Sequence, residues 1–354
     1  MTLRVALIGY GFAGRTFHAP IIRATPGLAL TVVVSRQADM VHAEIPEARI
    51  VPTADEALDH ADIDIAVVAT PNDTHAALAA AALQKGKHVV VDKPFTLTLA
   101  EARDLAALAA KTGLTLSAFQ NRRWDGDFLA VKAIVSAKEL GDVVHFESHF
   151  DRYRPEVRAR WRERAGPGSG VWFDLGAHLA DQALQLFGLP RSISASLAEQ
   201  RQGAQTDDWA HAVLDYGRLR VVLHASMLVA GGSPRIVVHG TSGSWIKYGL
   251  DVQEQQLLAG MRPGDPGWGV DREPGHFYGG AGGTKTDRPV PPGDYRQYYI
   301  ALCDAIGGGG ANPVTPIQAV AVMATLEAAR VSSQSGRTMM LPLTDAERGA
   351  FKGV

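Results

Sequence analysis

The sequence of 354 residues has one cysteine, Cys303. No disulfide can form within the chain, and the thiol, in an apolar stretch, reads as a small core residue. An excess of either charge is also missing: 35 Lys and Arg face 37 Asp and Glu, a net charge of −2. That balance gives no electrostatic reason to expect a nucleic acid or an anionic membrane as partner. No apolar run approaches the roughly 20 residues needed to span a bilayer. The first apolar run is strand-length and ends in glycines, unlike a secretory leader. Internal repeats are absent. These absences lead to the expectation of a cytoplasmic, soluble protein. What remains is 46% hydrophobic and 20% charged, the composition of an ordinary globular protein. The length suits about two domains.

What the chain has in quantity is glycine, 37 residues, so position rather than spacing decides which glycines matter. Val5-Ala6-Leu7-Ile8 is an uncharged apolar run that reads as a strand buried on both faces. It breaks into Gly9-Tyr10-Gly11-Phe12-Ala13-Gly14, the dinucleotide-binding spacing with a strand before and a helix after. Gly9 permits the tight turn, Gly11 lets backbone approach a pyrophosphate, and Gly14 lets the helix pack on the strand. The helix, expected over Arg15–Ala24 with a break at Pro20, aims free N–H groups at the phosphates.

Strands and helices then alternate: strand Leu28–Val34, strand Ile50–Val51, helix Ala54–His60, strand Asp64–Ala69, an alanine-rich helix ending at Lys85, strand His88–Val91, helix Leu99–Lys111 and strand Leu114–Phe119. Such alternation predicts a doubly wound parallel sheet, a Rossmann domain over residues 1–120. Ligands of such sheets sit beyond the carboxyl ends of the strands, which places Thr70, Pro71, Asn72 and His75, and then Asp92 and Lys93, at the cofactor edge. For His75 an ordinary helix-terminal role is the competing reading. After the second strand comes Ser35-Arg36, where a carboxylate would favour NAD. A hydroxyl and a guanidinium suit a 2′-phosphate, and Asp39 comes several residues late, so NADP is expected, with NAD as the alternative and a solvated loop charge as the plainer reading of Arg36. Lys93 can donate a hydrogen bond to a reacting oxygen or shift its pKa for proton transfer, a surface lysine at a strand end being the plainer reading.

From residue 121 to 354 the pattern changes to an α+β domain with a large, mostly antiparallel open sheet. A helix Phe128–Lys138, a β run Val143–Tyr153, strands between Ser192 and Leu258 with a hairpin turn at Gly240–Gly243, a long excursion Gly260–Gly293, helices Tyr295–Ile306 and Pro316–Ser335, and a last strand Thr338–Leu341 are expected. The last segment is free to pack back on the first domain. The free face of the sheet is a candidate surface for a homodimer or homotetramer. A basic and aromatic segment runs from Asp151 to Arg162; it suits hydroxyl-rich or anionic ligands or a partner subunit, a solvated face being the plainer reading. Asp174 and His178 lie four apart on a helix expected to reach Phe187, with Asp181 a turn beyond. A carboxylate one turn from an imidazole is an acid/base arrangement. The pair could equally be two ligands of a metal, for which no cysteine or clear third ligand stands nearby, or a plain helix-surface pair; no metal is expected.

Taken together, Gly9–Gly14, Thr70-Pro71-Asn72 with His75, Asp92-Lys93-Pro94, and Asp174-Leu175-Gly176-Ala177-His178 with Asp181 resemble the Gfo/Idh/MocA oxidoreductases over nearly the whole chain. The opening with Thr16-Phe17-His18-Ala19-Pro20 is similar to the branch holding NADP-dependent scyllo-inositol dehydrogenases. The resemblance implies that Lys93 polarises or protonates the substrate oxygen, that His178 is the acid/base, and that Asp174 binds a hydroxyl and steadies His178. Hydride would pass between nicotinamide C4 and a carbinol carbon of a sugar, polyol or inositol. Asp92 stands where the family more often has Glu, which shortens the carboxylate beside Lys93. Asn121, Arg122, Trp124, Arg152, Tyr153 and Tyr298 are further candidates for substrate contacts, helix core being the other reading of Tyr298. Two alternatives stay open: a non-catalytic dinucleotide-binding regulator, and a hydrolase of the same fold that recycles bound NAD.

Overall fold

Short strands that are apolar on both faces are stable only between two helical layers. The computed structural model, which describes residues 2–352, builds its first sheet from six of them. They are β1 (Leu3–Ile8), β2 (Leu28–Val34), β3 (Arg49–Val51), β4 (Ile65–Val68), β5 (His88–Val91) and β6 (Leu116–Ala118), in the order β3-β2-β1-β4-β5-β6. All five pairings are parallel. The chain direction reverses its march across the sheet at β1, which puts a crevice beyond the carboxyl ends of β1 and β4.

Helices α1 (Ala19–Arg23), α2 (Ala38–Glu44), α3 (Ala54–Asp59), α4 (His75–Gln84) and α5 (Leu99–Thr112) make the connections. The Thr98 hydroxyl and Glu101 carboxylate cap α5 reciprocally, satisfying N–H groups that a helix start otherwise leaves open. The helix expected over Arg15–Ala24 is not regular. Gly14–His18 form a π-turn that runs into α1, with Pro20 at the start of α1, where a missing N–H costs no helical bond.

This first unit comprises the chain up to Trp124 together with Gln253–Trp268 and Asp294–Val320. The division expected at residue 120 therefore falls slightly later, and the chain returns twice. One side chain joins the returning segments: Gln253 Nε2 donates to Trp124 O at 3.1 Å and its Oε1 accepts from Tyr295 N at 2.8 Å.

The second unit holds Asp125–Val252, Gly269–Gly293 and the chain from Ala321 on. Its sheet contains β7 (Val143–Asp151), β8 (Ser192–Ala198), β9 (Trp209–Asp215), β10 (Arg220–Ser226), β11 (Ile236–Gly240), β12 (Gly243–Lys247), β13 (Gly275–Gly279) and β14 (Thr284–Arg288). The order is β14-β13-β12-β11-β7-β10-β9-β8, antiparallel except where β7 meets β10. Alternation along β7 separates two faces. Phe146, Ser148 and Phe150 are buried, with Phe146 edge-on to Phe187 at the end of α7 (Ala177–Phe187). His145, Glu147, His149 and Asp151 occupy the other face. Helix α6 (Gly126–Ser136) also packs on α7.

Three expectations change here. The Gly260–Gly293 excursion contains the helix-free hairpin β13–β14, and a short helix α8 (Gln253–Leu258) precedes it. The strand expected at Thr338–Leu341 is a single bridge between Met339 and Ile193. Edge strand β8 is instead covered by α10 (Pro316–Ser335): Ala195 N and Leu197 N donate to the hydroxyls of Ser332 and Ser333 at 3.0 and 2.8 Å. The final segment belongs to this second unit and forms α11 (Asp345–Ala350). In the first unit, the expected helix Tyr295–Ile306 is α9 (Arg296–Ile306). Among the described residues, no helix is long and apolar enough to cross a membrane.

Candidate active site

In the first unit, β1, β4 and β5 are neighbours and parallel, so the residues after each of them meet at one edge. Gly9 turns with φ +104°, and a Cβ there would stand 2.7 Å from Ala69 O. A Cβ on Gly14 would come within 2.1 Å of Gly9 O, whereas one on Gly11 would meet nothing within 4 Å. Two glycines are thus required by the turn itself, and Gly11 leaves open space. That is the division of roles the dinucleotide-binding spacing calls for. Phe12 is 56% exposed beside it. Tyr10 turns away, its hydroxyl donating at 2.7 Å to Glu44, which also accepts from Arg15 Nε at 2.9 Å. Burial, then Glu44, pushes the Tyr10 phenol well above its usual range.

Beyond β4, the Thr70 and Thr74 hydroxyls are 2.6 Å apart, and Thr74 donates to Pro71 O at 2.7 Å. Asn72 is buried in the same turn. His75, also buried, lies with Nδ1 2.9 Å from Pro94 O and Nε2 3.0 Å from Thr70 O. Its ring thereby ties the turn after β4 to the segment after β5. Sequence reasoning placed His75 among the cofactor contacts or at a helix end; its observed contacts are with these two backbone segments.

Lys93, half-buried, follows the buried Asp92. Burial disfavours the Asp92 charge, but His18, Lys93 and His75 outweigh it and hold the carboxyl below its usual value. His18 Nε2 is 3.6 Å from Asp92 Oδ1, and His18 Nδ1 is 2.7 Å from the Tyr299 hydroxyl. A buried row Tyr299–His18–Asp92 therefore lies behind Lys93. His18 entered the sequence reading only as part of a resemblance; its partner lies hundreds of positions away, out of reach of local spacing. Ser35 follows β2 and accepts from Gln37 N at 3.0 Å; Arg36 is exposed.

In the second unit, Asp174 falls within a π-turn, Trp172–Gly176, that leads into α7. The widened turn alters the simple four-residue stacking expected between Asp174 and His178. Gly176 makes room for the Trp172 ring, 2.4 Å from where its Cβ would be, and Trp172 Nε1 donates to Leu326 O at 3.1 Å. Asp207 anchors the turn: its Oδ2 accepts from Trp172 N at 2.7 Å and its carbonyl accepts from Val171 N at 2.8 Å. Burial pushes the Asp207 carboxyl up to about 6.

His178 and Asp181 are buried on α7. Asp174 pairs with Arg162 at 3.4 Å. The basic segment is thus not merely solvated: Arg201 holds it through Glu163 at 3.0 Å and through the carbonyls of Arg154 and Glu156. Arg235 fixes α7 from the sheet, donating to Gln182 Oε1 at 2.9 Å while its Nε stands 3.3 Å from Asp127.

The further substrate candidates fall in unlike surroundings. Arg152 lies over the Phe150 ring and Tyr153 is 60% exposed. Asn121 is buried, Arg122 donates to Glu254 at 2.7 Å, and Trp124 is edge-on to Tyr298. Tyr298 is fully buried and donates to Ser117 Oγ at 2.8 Å, a place in the core of the first unit.

A parallel sheet with a glycine-rich turn at its switch point is the architecture of dinucleotide-binding proteins. The chain belongs to the Gfo/Idh/MocA oxidoreductase family: the family's NAD-binding Rossmann fold matches residues 3–120 and its C-terminal alpha/beta domain matches residues 132–341. It is 49% identical to the uncharacterized oxidoreductase YdgJ of Escherichia coli (strain K12), over 96% of this chain and 99% of that protein. It is 38% identical to scyllo-inositol 2-dehydrogenase (NADP(+)) IolW of Bacillus subtilis (strain 168), over 96% of each. A Klebsiella pneumoniae protein described as an oxidoreductase superposes with a TM-score of 0.93 at 52% identity, covering 98% of this chain and 97% of that one.

Proposed function

We propose that the protein is an NADP-preferring dehydrogenase of a sugar, polyol or inositol, with scyllo-inositol as the lead substrate. The observation that carries this reading is the meeting of the Gly9–Gly14 turn, Thr70–Asn72 and Asp92–Lys93 at the carboxyl edge of three adjacent strands. The similarity to an enzyme named for scyllo-inositol and NADP(+) supports the substrate and the cofactor form. Bound NADP supplies or accepts a hydride. The chain's residues do the rest. Backbone N–H groups around Gly11 hold the pyrophosphate, Thr70 to Asn72 line the same edge, and Ser35 with Arg36 hold the 2′-phosphate. Lys93 donates to the reacting oxygen, with Asp92 keeping a negative charge beside its ammonium. His178 takes or returns the hydroxyl proton, and Asp174 binds a neighbouring hydroxyl. The face of the second sheet that carries His145, Glu147 and His149 is the surface through which copies would associate.

The test is the near-ultraviolet absorbance of reduced cofactor, with NADP or NAD and a panel of inositols, sugars and polyols. Turnover with NADP and a cyclitol is expected. Glycoside cleavage without net cofactor reduction would overturn the proposal, and so would bound cofactor with no turnover across the panel. Lys93→Ala and His178→Ala should each lose most turnover while still binding cofactor; a normal rate in either removes its assigned role. Arg36→Ala should weaken NADP relative to NAD by about 1–3 kcal/mol, the worth of one charge-assisted contact. An unchanged ratio makes Arg36 a surface charge.

A further inference from the structure

On the face of the second sheet opposite Phe146 and Phe150, register brings together residues that neither the glycine turn nor α7 uses. His149 on β7 pairs directly with His224 on β10, and His224 with His211 on β9. Asp151 is two residues beyond His149 and so projects from the same face. His149 Nδ1 stands 3.4 Å from Asp151 Oδ2, and His224 Nε2 stands 3.6 Å from Asp151 Oδ1. The Asp151 side chain is 4% exposed. Neither its Oδ1 nor His149 Nδ1 has a hydrogen-bond partner among the described residues.

We propose that His149, Asp151 and His224 form a binding site for a first-row divalent cation, zinc being the natural fit. Two imidazoles and a carboxylate at Zn–N and Zn–O distances of about 2.0–2.1 Å leave tetrahedral edges of roughly 3.3 Å between ligand atoms. Each imidazole nitrogen stands at about that distance from the Asp151 carboxylate, His149 from one oxygen and His224 from the other. All three ligand atoms lie within 4.8 Å of one another, so small side-chain rotations suffice. The surrounding contacts orient the ligands. His149 turns Nε2 to Glu147 at 2.8 Å, which leaves Nδ1 directed at Asp151. His224 has Nδ1 3.4 Å from His211 Nδ1, which leaves Nε2 for the ion. An acceptor on the far nitrogen of a ligating histidine is the arrangement that fixes its tautomer and raises its basicity. Ser233 donates to Asp151 Oδ2. The fourth position stays open to water. The site ties β7 to β10 at their one parallel pairing and takes no part in the redox chemistry.

The test uses the full chain, stripped with chelator and titrated calorimetrically with zinc chloride, then with cobalt chloride for its visible spectrum. Wild type should bind one zinc per chain, retain it through gel filtration and give cobalt bands of a four- or five-coordinate site. Zinc should also raise the melting temperature, as any ligand of the folded state does. Asp151→Asn and His224→Gln should lose the equivalent, and Glu147→Gln should weaken it roughly 10–100-fold. His276→Ala, which alters the exposed His276–Asp287 pair, should change nothing. Circular dichroism and NADPH titration check that each variant is folded. Stripped wild type that takes up no zinc overturns the proposal. Equal zinc affinity in folded Asp151→Asn or His224→Gln does the same, and would mark the histidine-rich face as an unspecific binder.

Discussion

Asp207→Asn should stabilise the protein at neutral pH and do nothing in acid. The carboxyl is held in the backbone that opens the Asp174–His178 segment, with Oδ2 accepting from Trp172 N and Oδ1 in the space a Cβ on Gly170 would fill. Burial, with Asp208 adding like charge, raises it from 3.8 to about 6. Between those values the folded chain keeps a proton that the unfolded chain has given up. Stability therefore falls as pH rises through that window, by about 1.4 kcal/mol for each pH unit crossed. The total is about 3 kcal/mol, fully lost above pH 6 or so. Asparagine keeps the neutral form at every pH, its oxygen accepts from Trp172 N, and its amide can donate to the Thr206 hydroxyl, 3.5 Å from the present Oδ1.

The assay is urea denaturation of both proteins from pH 3.5 to 8, comparing stabilities at each pH so that other titrating groups cancel. The gap should be near zero below pH 4, grow between about pH 4 and 6, and level off at about 3 kcal/mol in favour of the variant. A gap that does not change with pH, or a variant weaker than wild type at pH 8, refutes the reasoning. It would mean that the Trp172 N–H needs the charge of Asp207 more than the fold suffers from it.

Two further perturbations separate folding from ligand contact in the first unit. Gly11→Ala should melt like wild type, since the added methyl meets nothing, yet bind NADPH at least tenfold more weakly; unchanged binding, followed by fluorescence titration, would remove Gly11 from the cradle. Gly14→Ala puts a methyl 2.1 Å from Gly9 O and should lower the melting temperature by several degrees as well as weaken the cofactor. His75→Ala leaves the Thr70 and Pro94 carbonyls without the ring and opens a cavity. It should cost about 2–4 kcal/mol by denaturation and lower kcat through Lys93; full stability with normal kcat would reduce His75 to filler.

Much of the fold was legible because its signals are local. The apolar runs of β2 and β5 end where the sequence says, at Val34 and Val91, and the Gly240–Gly243 turn joins β11 to β12. The six parallel strands follow from alternation, and the tight turn at Gly9 from position. What escaped was set by distant partners or lacked a period. Strand β14 reads Thr-Lys-Thr-Asp-Arg and is largely exposed, so no hydrophobic alternation marks it. The return of residues 253–268 and 294–320 to the first unit hangs partly on Gln253, whose bonds reach Trp124 and Tyr295. Helix α11 did carry a signal, the Thr344–Glu347 capping box, hidden by its brevity.

In the candidate site the same division holds, and it explains why motif residues and supporting residues were read unequally. The residues proposed to touch cofactor or substrate sit just past strand ends or on one helix, where three or four neighbours in sequence suffice to announce them. Those that hold them come from elsewhere: His18 and Tyr299 behind Asp92, Arg162 against Asp174, Asp207 under Trp172, Arg235 against α7. The first unit shapes its glycine turn with backbone, at positions where a side chain would clash, and Ser35 and Arg36 lie outside that turn. The second fixes Asp174 and α7 through long-range ion pairs and side-chain hydrogen bonds. Cofactor preference should therefore shift with substitutions at positions 35 and 36 that leave the Asp174–His178 segment untouched, while substitutions at Arg162 or Arg235 should act on substrate handling and leave NADPH affinity as it is.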